Sequence, residues 1–292
     1  MSVVVETPVQ TGAEDDARAL PRHRLGPSFW IPLVWITLVV VLAATANLLA
    51  LRNPIDSDFA SVSNWPSTTY WFGTDQLGRD IFSRCIFGAR VSLIVGVFAP
   101  LLGLGVGTFL GMAAGYFRGR IETVIVSAMD AILAFPGILI ALAVTAYVGA
   151  NTIILILLLG GLSIPAFMRV ARANTLVFAQ REFVLAARAM GASHWRVLSL
   201  ELLPNVIIPM LIYALLTVSR IIVVEGVLSF LGLSVPPPQP TWGNMIADGQ
   251  ADLASDPYIC FIPSALMFLT VLSINLIGER LRTRTDFRGS AL

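Results

Sequence analysis

The stretch REFVLAARAMGASHWRVLSLELLPN, residues 181–205, is a polar-studded run of helix formers set between two long apolar blocks. Alanine, leucine, arginine and methionine favour helix through Met190, Gly191 interrupts, and a second short helical run is expected over residues 193–203. Pro204, with no backbone N–H to donate, is expected to end it. In the first run Ala186, Ala187 and Ala189 leave the backbone accessible. In the second, Trp195, Leu198 and Leu202 fall on one stripe at helical spacing. Two short helices joined at a glycine make a compact knob that fits a groove in another protein. An amphipathic helix lying on a bilayer surface is the competing reading of the same pattern.

The composition shows what such a knob projects from. Of 292 residues, 56% are hydrophobic and 13% charged, and the mean hydropathy is +0.80. Soluble domains carry roughly a quarter charged residues, so the chain reads as an all-α, polytopic membrane protein. A net charge of +1 leaves no nucleic-acid footprint. Lysine is absent and every basic residue is an arginine, which excludes a phosphate-binding loop of the Gly-rich, Lys-Ser/Thr type. The chain is therefore not a standard ATPase, and any energy must come from a partner. Cys85, Cys260, His23 and His194 show no metal-ligand or CxxC spacing. With no HExxH and no GxSxG, no catalytic residue is assigned and an intramembrane enzyme is excluded. His194, within the knob, reads as an exposed polar contact.

Working outward, residues 1–27 are polar and bury no core, as expected of a disordered cytoplasmic tail. Residues 28–51 exceed a signal-peptide core and suffice to cross a bilayer, giving a first transmembrane helix that is not cleaved. Residues 52–90 form an external loop with turn signals at Pro54, Pro66, Gly73 and Gly78. The loop ends in DIFSRCIFGAR (80–90), read as an interfacial helix in which Asp80 and Arg84 pair at i, i+4. Residues 91–280 are a core of five further spans. The second, 91–117, carries Gly96, Gly103, Gly105, Gly107, Gly111 and Gly115, several at spacings that let another helix approach closely. The third is placed at 121–147 and the fourth at 152–168. The 38 uncharged residues over 131–168 are too many for one helix across roughly 30 Å. The fifth span is 206–233 and the sixth 258–278, with residues 281–292 as a second cytoplasmic tail. In the acidic segment 234–257, Asp248, Asp252 and Asp256 recur every four residues, read as a solvated helix face outside the membrane rather than a cation site.

Arginines set the orientation, since short positively charged loops stay cytoplasmic. With the N-terminus inside, 14 are cytoplasmic, among them Arg118, Arg120, Arg169, Arg172, Arg181, Arg188 and Arg196. Four, Arg52, Arg79, Arg84 and Arg90, are external, and Arg220 lies within a span. Both termini and the knob are thus cytoplasmic. Ionisable groups inside spans are functional hypotheses by default, which singles out Asp130, Arg220 and Glu225. The step from Arg220 to Glu225 places them about 140° apart on a helix, too far to pair along one face. Arg220 has two readings: contact with a solute carboxylate along a path, or an ion pair with Asp130 or a neighbouring subunit.

Ala186-Ala187, Gly191 four residues on, and Leu203-Pro204 resemble the coupling-loop motif of importer permeases of the ATP-binding-cassette class. Leu185 stands where that motif usually has glutamate, and Glu182 lies three positions earlier, as in the peptide-importer branch. FGTDQLGRD (72–80), followed by Ser83-Arg84 and Gly88-Ala89-Arg90, is similar to the signature before the second span of C-type permeases of dipeptide and oligopeptide importers. Ala134-Phe135-Pro136, EGVLSFLGL (225–233), Pro237-Pro238, Trp242-Gly243, Asn275-Leu276 and Leu281-Arg282 extend the resemblance over about residues 28 to 288. Asp286-Phe287-Arg288 departs from the family's usual Asp-Pro-Arg.

The resemblance implies six spans in the type I importer permease fold, in the inner membrane of a bacterium. It implies a coupling loop over 172–205 in which Glu182, Ala186, Ala187, Arg188, Gly191, Ala192, Trp195, Arg196 and Pro204 serve an ATPase. The implied partners are a second permease subunit, two ATP-binding-cassette ATPases, an external substrate-binding protein and a peptide substrate. ATP and Mg would bind the ATPases, with no cofactor on this chain. A nickel importer subunit of the same family is an alternative. A secondary transporter or channel working through Asp130 and Glu225 is another, but its mark, an internal repeat, is not seen and it gives the knob no role.

Overall fold

The computed structural model describes residues 26–289, with side chains as far as residue 283. The expected tail over residues 1–27 falls outside the described residues up to residue 25, as do residues 290–292. The described chain is helical, with a lone bridge between Thr74 and Asp80 and no strand among the described residues. Five helical runs are long and apolar enough to cross a bilayer: α1 (Pro27–Thr45), α2 (Ile81–Phe117), α5 (Thr152–Phe178), His194–Phe230 and α10 (Tyr258–Gly289). The run His194–Phe230 comprises α7 (His194–Arg196), a π-helical turn (Val197–Leu202) and α8 (Leu203–Phe230). The cytoplasmic segment before it holds α6 (Glu182–Ala189), and the external segment after it holds α9 (Trp242–Gly249).

A sixth crossing is made by α3 (Gly119–Leu133) and α4 (Gly137–Val148), which meet at 72°. The direction of their neighbours requires it. A Cβ added at Gly103 would strike Ser163 and Phe167 of α5; at Gly107, Ile164, Phe167 and Met168; at Gly111, Met168, Ala171 and Arg172; at Gly115, Arg172 and Thr175. Both sets of numbers rise together, so α2 and α5 run the same way and end on the same side of the membrane. The chain leaving Phe117 must return to the other side before Thr152, and the helices between are α3 and α4. The pairs α2–α8, α8–α10 and α1–α10 are antiparallel. Gly96 of α2 meets Val218 and Ile222 of α8, while Gly278 of α10 meets Leu216 and Gly226 of α8 meets Met267. Trp35 of α1 donates to Thr270 of α10 at 3.2 Å, and Arg280 reaches Ser28 at 2.9 Å.

Lipid tails are as apolar as the side chains, so helix association rests on close packing, which the glycine positions of α2 permit. In the cytoplasmic half Leu104, Met112, Phe167, Ala171, Val206 and Met210 form one buried cluster. In the outer half Val95, Ala99, Leu155, Leu159, Ile221 and Leu228 form another.

The structure corrects several expectations. Residues 80–90 are not a separate interfacial helix: Asp80 accepts from Ser83 N at 3.0 Å as the N-cap of α2, and no breaker separates that turn from the span. Asp80 is thereby committed to Ser83, and Arg84 turns instead to Asp75 at 3.4 Å. The third span is not a single helix over 121–147, because Pro136 cannot donate and pushes Phe135 out of helical conformation. Helix α5 passes the expected end at 168 and runs to Phe178. The most consequential correction lies at Pro204, which does not terminate the second helix of the knob. The preceding turn widens so that Leu203 N–H bonds Leu198 O, five residues back, and Asn205 Nδ2 occupies Glu201 O at 2.7 Å. Proline then enters the first turn of α8, where a missing donor is tolerated.

Reporter fusions check the topology. Fusions at Gly119 are expected to read cytoplasmic and fusions at Asn64 and Gln250 external; an external signal at Gly119 would contradict six crossings.

Candidate functional site

The cytoplasmic end is built by a defined stop and restart of the helix. At the end of α6, Gly191 has φ +81, with its N–H bonded to Arg188 O and the N–H of Ala192 bonded to Ala187 O, both at 3.0 Å. These are the paired bonds of a Schellman motif, for which a left-handed residue is required and glycine is the unstrained choice. Two residues later Ser193 caps the next helix through its hydroxyl, which accepts from Arg196 N at 3.3 Å.

The inner side of this knob is anchored. Val184, Val197 and Leu202 are buried in the cytoplasmic cluster with Leu104, Phe167 and Met210, and Ala187 is buried as well. The outer side is open: Met190 is 82% and Trp195 71% exposed, flanked by exposed Leu185, Ala186, Arg188 and Arg196. Of the residues singled out from the sequence, Glu182, Ala186, Arg188, Gly191, Trp195, Arg196 and Pro204 are on the surface, and Ala192 is half-buried. Ala187 is not: one position past Ala186, it turns inward with Val184. Trp195 likewise leaves the expected stripe, since the fully buried Leu202 follows the widened turn while Trp195 precedes it.

How α2 meets the knob is not readable from spacing or composition. Tyr116 OH lies 2.9 Å from His194 Nδ1, and the rings of Tyr116 and Phe117 stand edge-on to His194. Arg188 sits 6.0 Å above the Tyr116 ring. A shallow groove lined by Tyr116, Arg118, Ala179, Gln180, Leu185 and Arg188 runs beside it. The chain turns sharply here because Arg118 and Gly119 both take positive φ, +54 and +59. Helix α3 is then tied to α5 by Arg169–Asp130 at 2.6 Å and by Arg172–Glu122.

The intramembrane groups therefore separate. Asp130 is committed to Arg169, which removes the expected Arg220–Asp130 pair. Glu225 is fully buried and accepts from Ser92 of α2 and from Ser234 of the following loop, each at 2.9 Å. Arg220 is exposed on α8 and makes no ion pair among the described residues.

On the outer side the expected solvated acidic face is instead partly consumed. Arg79 lies 2.7 Å from Asp75 and 3.5 Å from Asp248, and Arg84 lies 3.8 Å from Asp248. Gln76 donates to Asp248 O at 2.8 Å and to the Asp252 carboxylate. Burial raises the Asp248 carboxyl above the usual range, opposed by the guanidiniums of Arg84 and Arg79. Trp242 Nε1 completes the latch on Cys85 O at 3.0 Å.

The family model described as "Binding-protein-dependent transport system inner membrane component" matches residues 107–288, more than half of the chain and all of the knob. The chain belongs to that family. Glutathione transport system permease protein GsiD of Pectobacterium atrosepticum is 38% identical over 257 residues, covering 87% of this chain and 84% of the relative. The proteins of the same name from Escherichia coli and Shigella sonnei are 40% identical over the same spans. As a member of the binding-protein-dependent permeases, the chain is an inner-membrane component of an ATP-binding-cassette importer and not itself an enzyme. The matched region begins within α2 and takes in both ion pairs that tie α3 to α5, the knob, Arg220 and Glu225.

Proposed function

We propose that this permease forms one half of a heterodimeric pore that imports di- and oligopeptides, and that residues 181–205 transmit the movement of partner ATPases to it. One observation carries the coupling role: the knob is continuous with a span. From His194 to Phe230 the chain is one helical run, about 55 Å long at 1.5 Å per residue. A displacement applied at Trp195 therefore passes along α8 without crossing a flexible loop. The buried Val184, Val197 and Leu202 tie the same knob to α2 and α5, so the helices shift together as the pore alternates between inward- and outward-open states. The exposed apolar residues Leu185, Met190 and Trp195, with Arg188 and Arg196 around them, suit a mixed docking surface with a central aromatic anchor.

Peptide cargo is supported by the relatives' names, since glutathione is a tripeptide, and by the external signature over residues 72–90. The complete complex in proteoliposomes, with its substrate-binding protein outside and ATP available to the ATPases, tests this. ATP-dependent uptake of labelled di- and oligopeptides or of glutathione is expected. Uptake of nickel without any peptide would contradict the cargo assignment.

A further inference from the structure

We infer that Arg220 reads the carboxylate of an anionic, peptide-like solute on the translocation path. This rests on the importer reading above and names the solute chemistry of its pore. In the outer half of α8, Ile221, Ile222, Glu225, Gly226, Leu228 and Ser229 are buried. Arg220, Val223, Val227 and Phe230 are exposed. Their spacing of three and four residues makes a single stripe, with Arg220 at its deep end. That position is about 15 Å along the helix from Phe230 and about 25 Å from Leu203, well inside the bilayer. A guanidinium at that depth does not face hydrocarbon; it faces water, a solute or protein.

Among the described residues the acidic groups of the other spans already have partners, Glu279 of α10 lying 4.0 Å from Arg282. Asp130 holds Arg169, Glu122 holds Arg172, and both oxygens of Glu225 accept from serine hydroxyls. The Arg220 guanidinium keeps its donors, in the planar fork that grips a carboxylate through two parallel bonds. Above it, Val223 and Val227 offer only apolar contact, which lets a solute pass and leaves the charge as the point of recognition.

The test uses the reconstituted complex with an unaltered substrate-binding protein. The probes are a panel of di- and tripeptides, glutathione among them, each as the free acid and as the C-terminal amide, at concentrations that saturate the binding protein. Arg220→Gln is expected to keep normal subunit recovery and ATP hydrolysis while uptake of the free acids falls about tenfold or more, the loss of one charged hydrogen-bonded contact. Amide uptake is expected to change little, and Arg220→Lys to recover part of the free-acid rate. An unchanged acid-to-amide ratio with normal uptake would overturn the inference while leaving the importer intact. Loss of the second permease subunit from both Arg220→Gln and Arg220→Lys complexes would overturn it in favour of an inter-subunit ion pair. If the wild-type complex moves none of the probes, the peptide reading falls and this inference with it.

Discussion

Gly111→Val is expected to remove the folded subunit from the membrane, whereas Gly105→Val, on the same helix, is expected to leave it at the wild-type level. A Cβ at Gly111 would stand 2.4 Å from Met168 O, 2.6 Å from Ala171 Cβ and 2.8 Å from Arg172 N. Two of these are backbone atoms of α5 and cannot rotate aside. Overpacking against side chains that can yield costs about 1–3 kcal/mol; here α2 and α5 must separate along their whole contact, so the loss exceeds that range. Around Gly105 nothing lies within 4 Å. Valine is as apolar as the spans themselves, so insertion is unaffected in both variants and the difference reports packing alone. Membrane levels and size-exclusion profiles after detergent extraction measure it. Equal, wild-type behaviour of both variants would contradict the parallel α2–α5 contact on which the six crossings rest.

That contact marks where the sequence was legible and where it was not. Glycines at 103, 107, 111 and 115 announced a close helix neighbour, but spacing along one helix says nothing about which helix comes near or in what direction. Uncharged runs located the spans because length against bilayer thickness is a one-dimensional criterion. Helix interruptions were harder. Pro136 does break a helix and Pro204 does not, and the difference is a tertiary one: a single π turn before Pro204 reroutes the bond that proline cannot make. Gly191 was legible because a glycine after a helical run is a local stop signal. The inward turn of Ala187, and the seating of Tyr116 on His194, were not, since they depend on how the knob docks on α2. Charges behaved similarly. The sequence marked Asp130, Arg220 and Glu225 as costly, but only the fold revealed that Arg169 takes Asp130 and that two serines serve Glu225.

Gly191→Val is expected to leave the subunit in the membrane and uncouple it from its ATPases. The glycine has φ +81 and open space around its missing side chain, so the substitution acts through the backbone rather than by collision. A left-handed conformation costs an L-residue about 1–2 kcal/mol, and a β-branched one fits it worst. The strain is relieved by abandoning the turn, which swings Met190 and the end of α6 away from Trp195 while the apolar spans stay as they are. Asparagine is the best tolerated replacement at such a position, so Gly191→Asn is expected to retain coupling.

Purification of the assembled complex through this subunit is the most direct measurement, scoring ATPase subunits recovered per permease and hydrolysis stimulated by the loaded substrate-binding protein. Wild type and Gly191→Asn are expected to recover the ATPases and to show stimulated hydrolysis, and Gly191→Val to lose one or both at a normal membrane level. Full ATPase recovery together with wild-type, substrate-dependent hydrolysis in Gly191→Val would contradict the coupling role of residues 181–205.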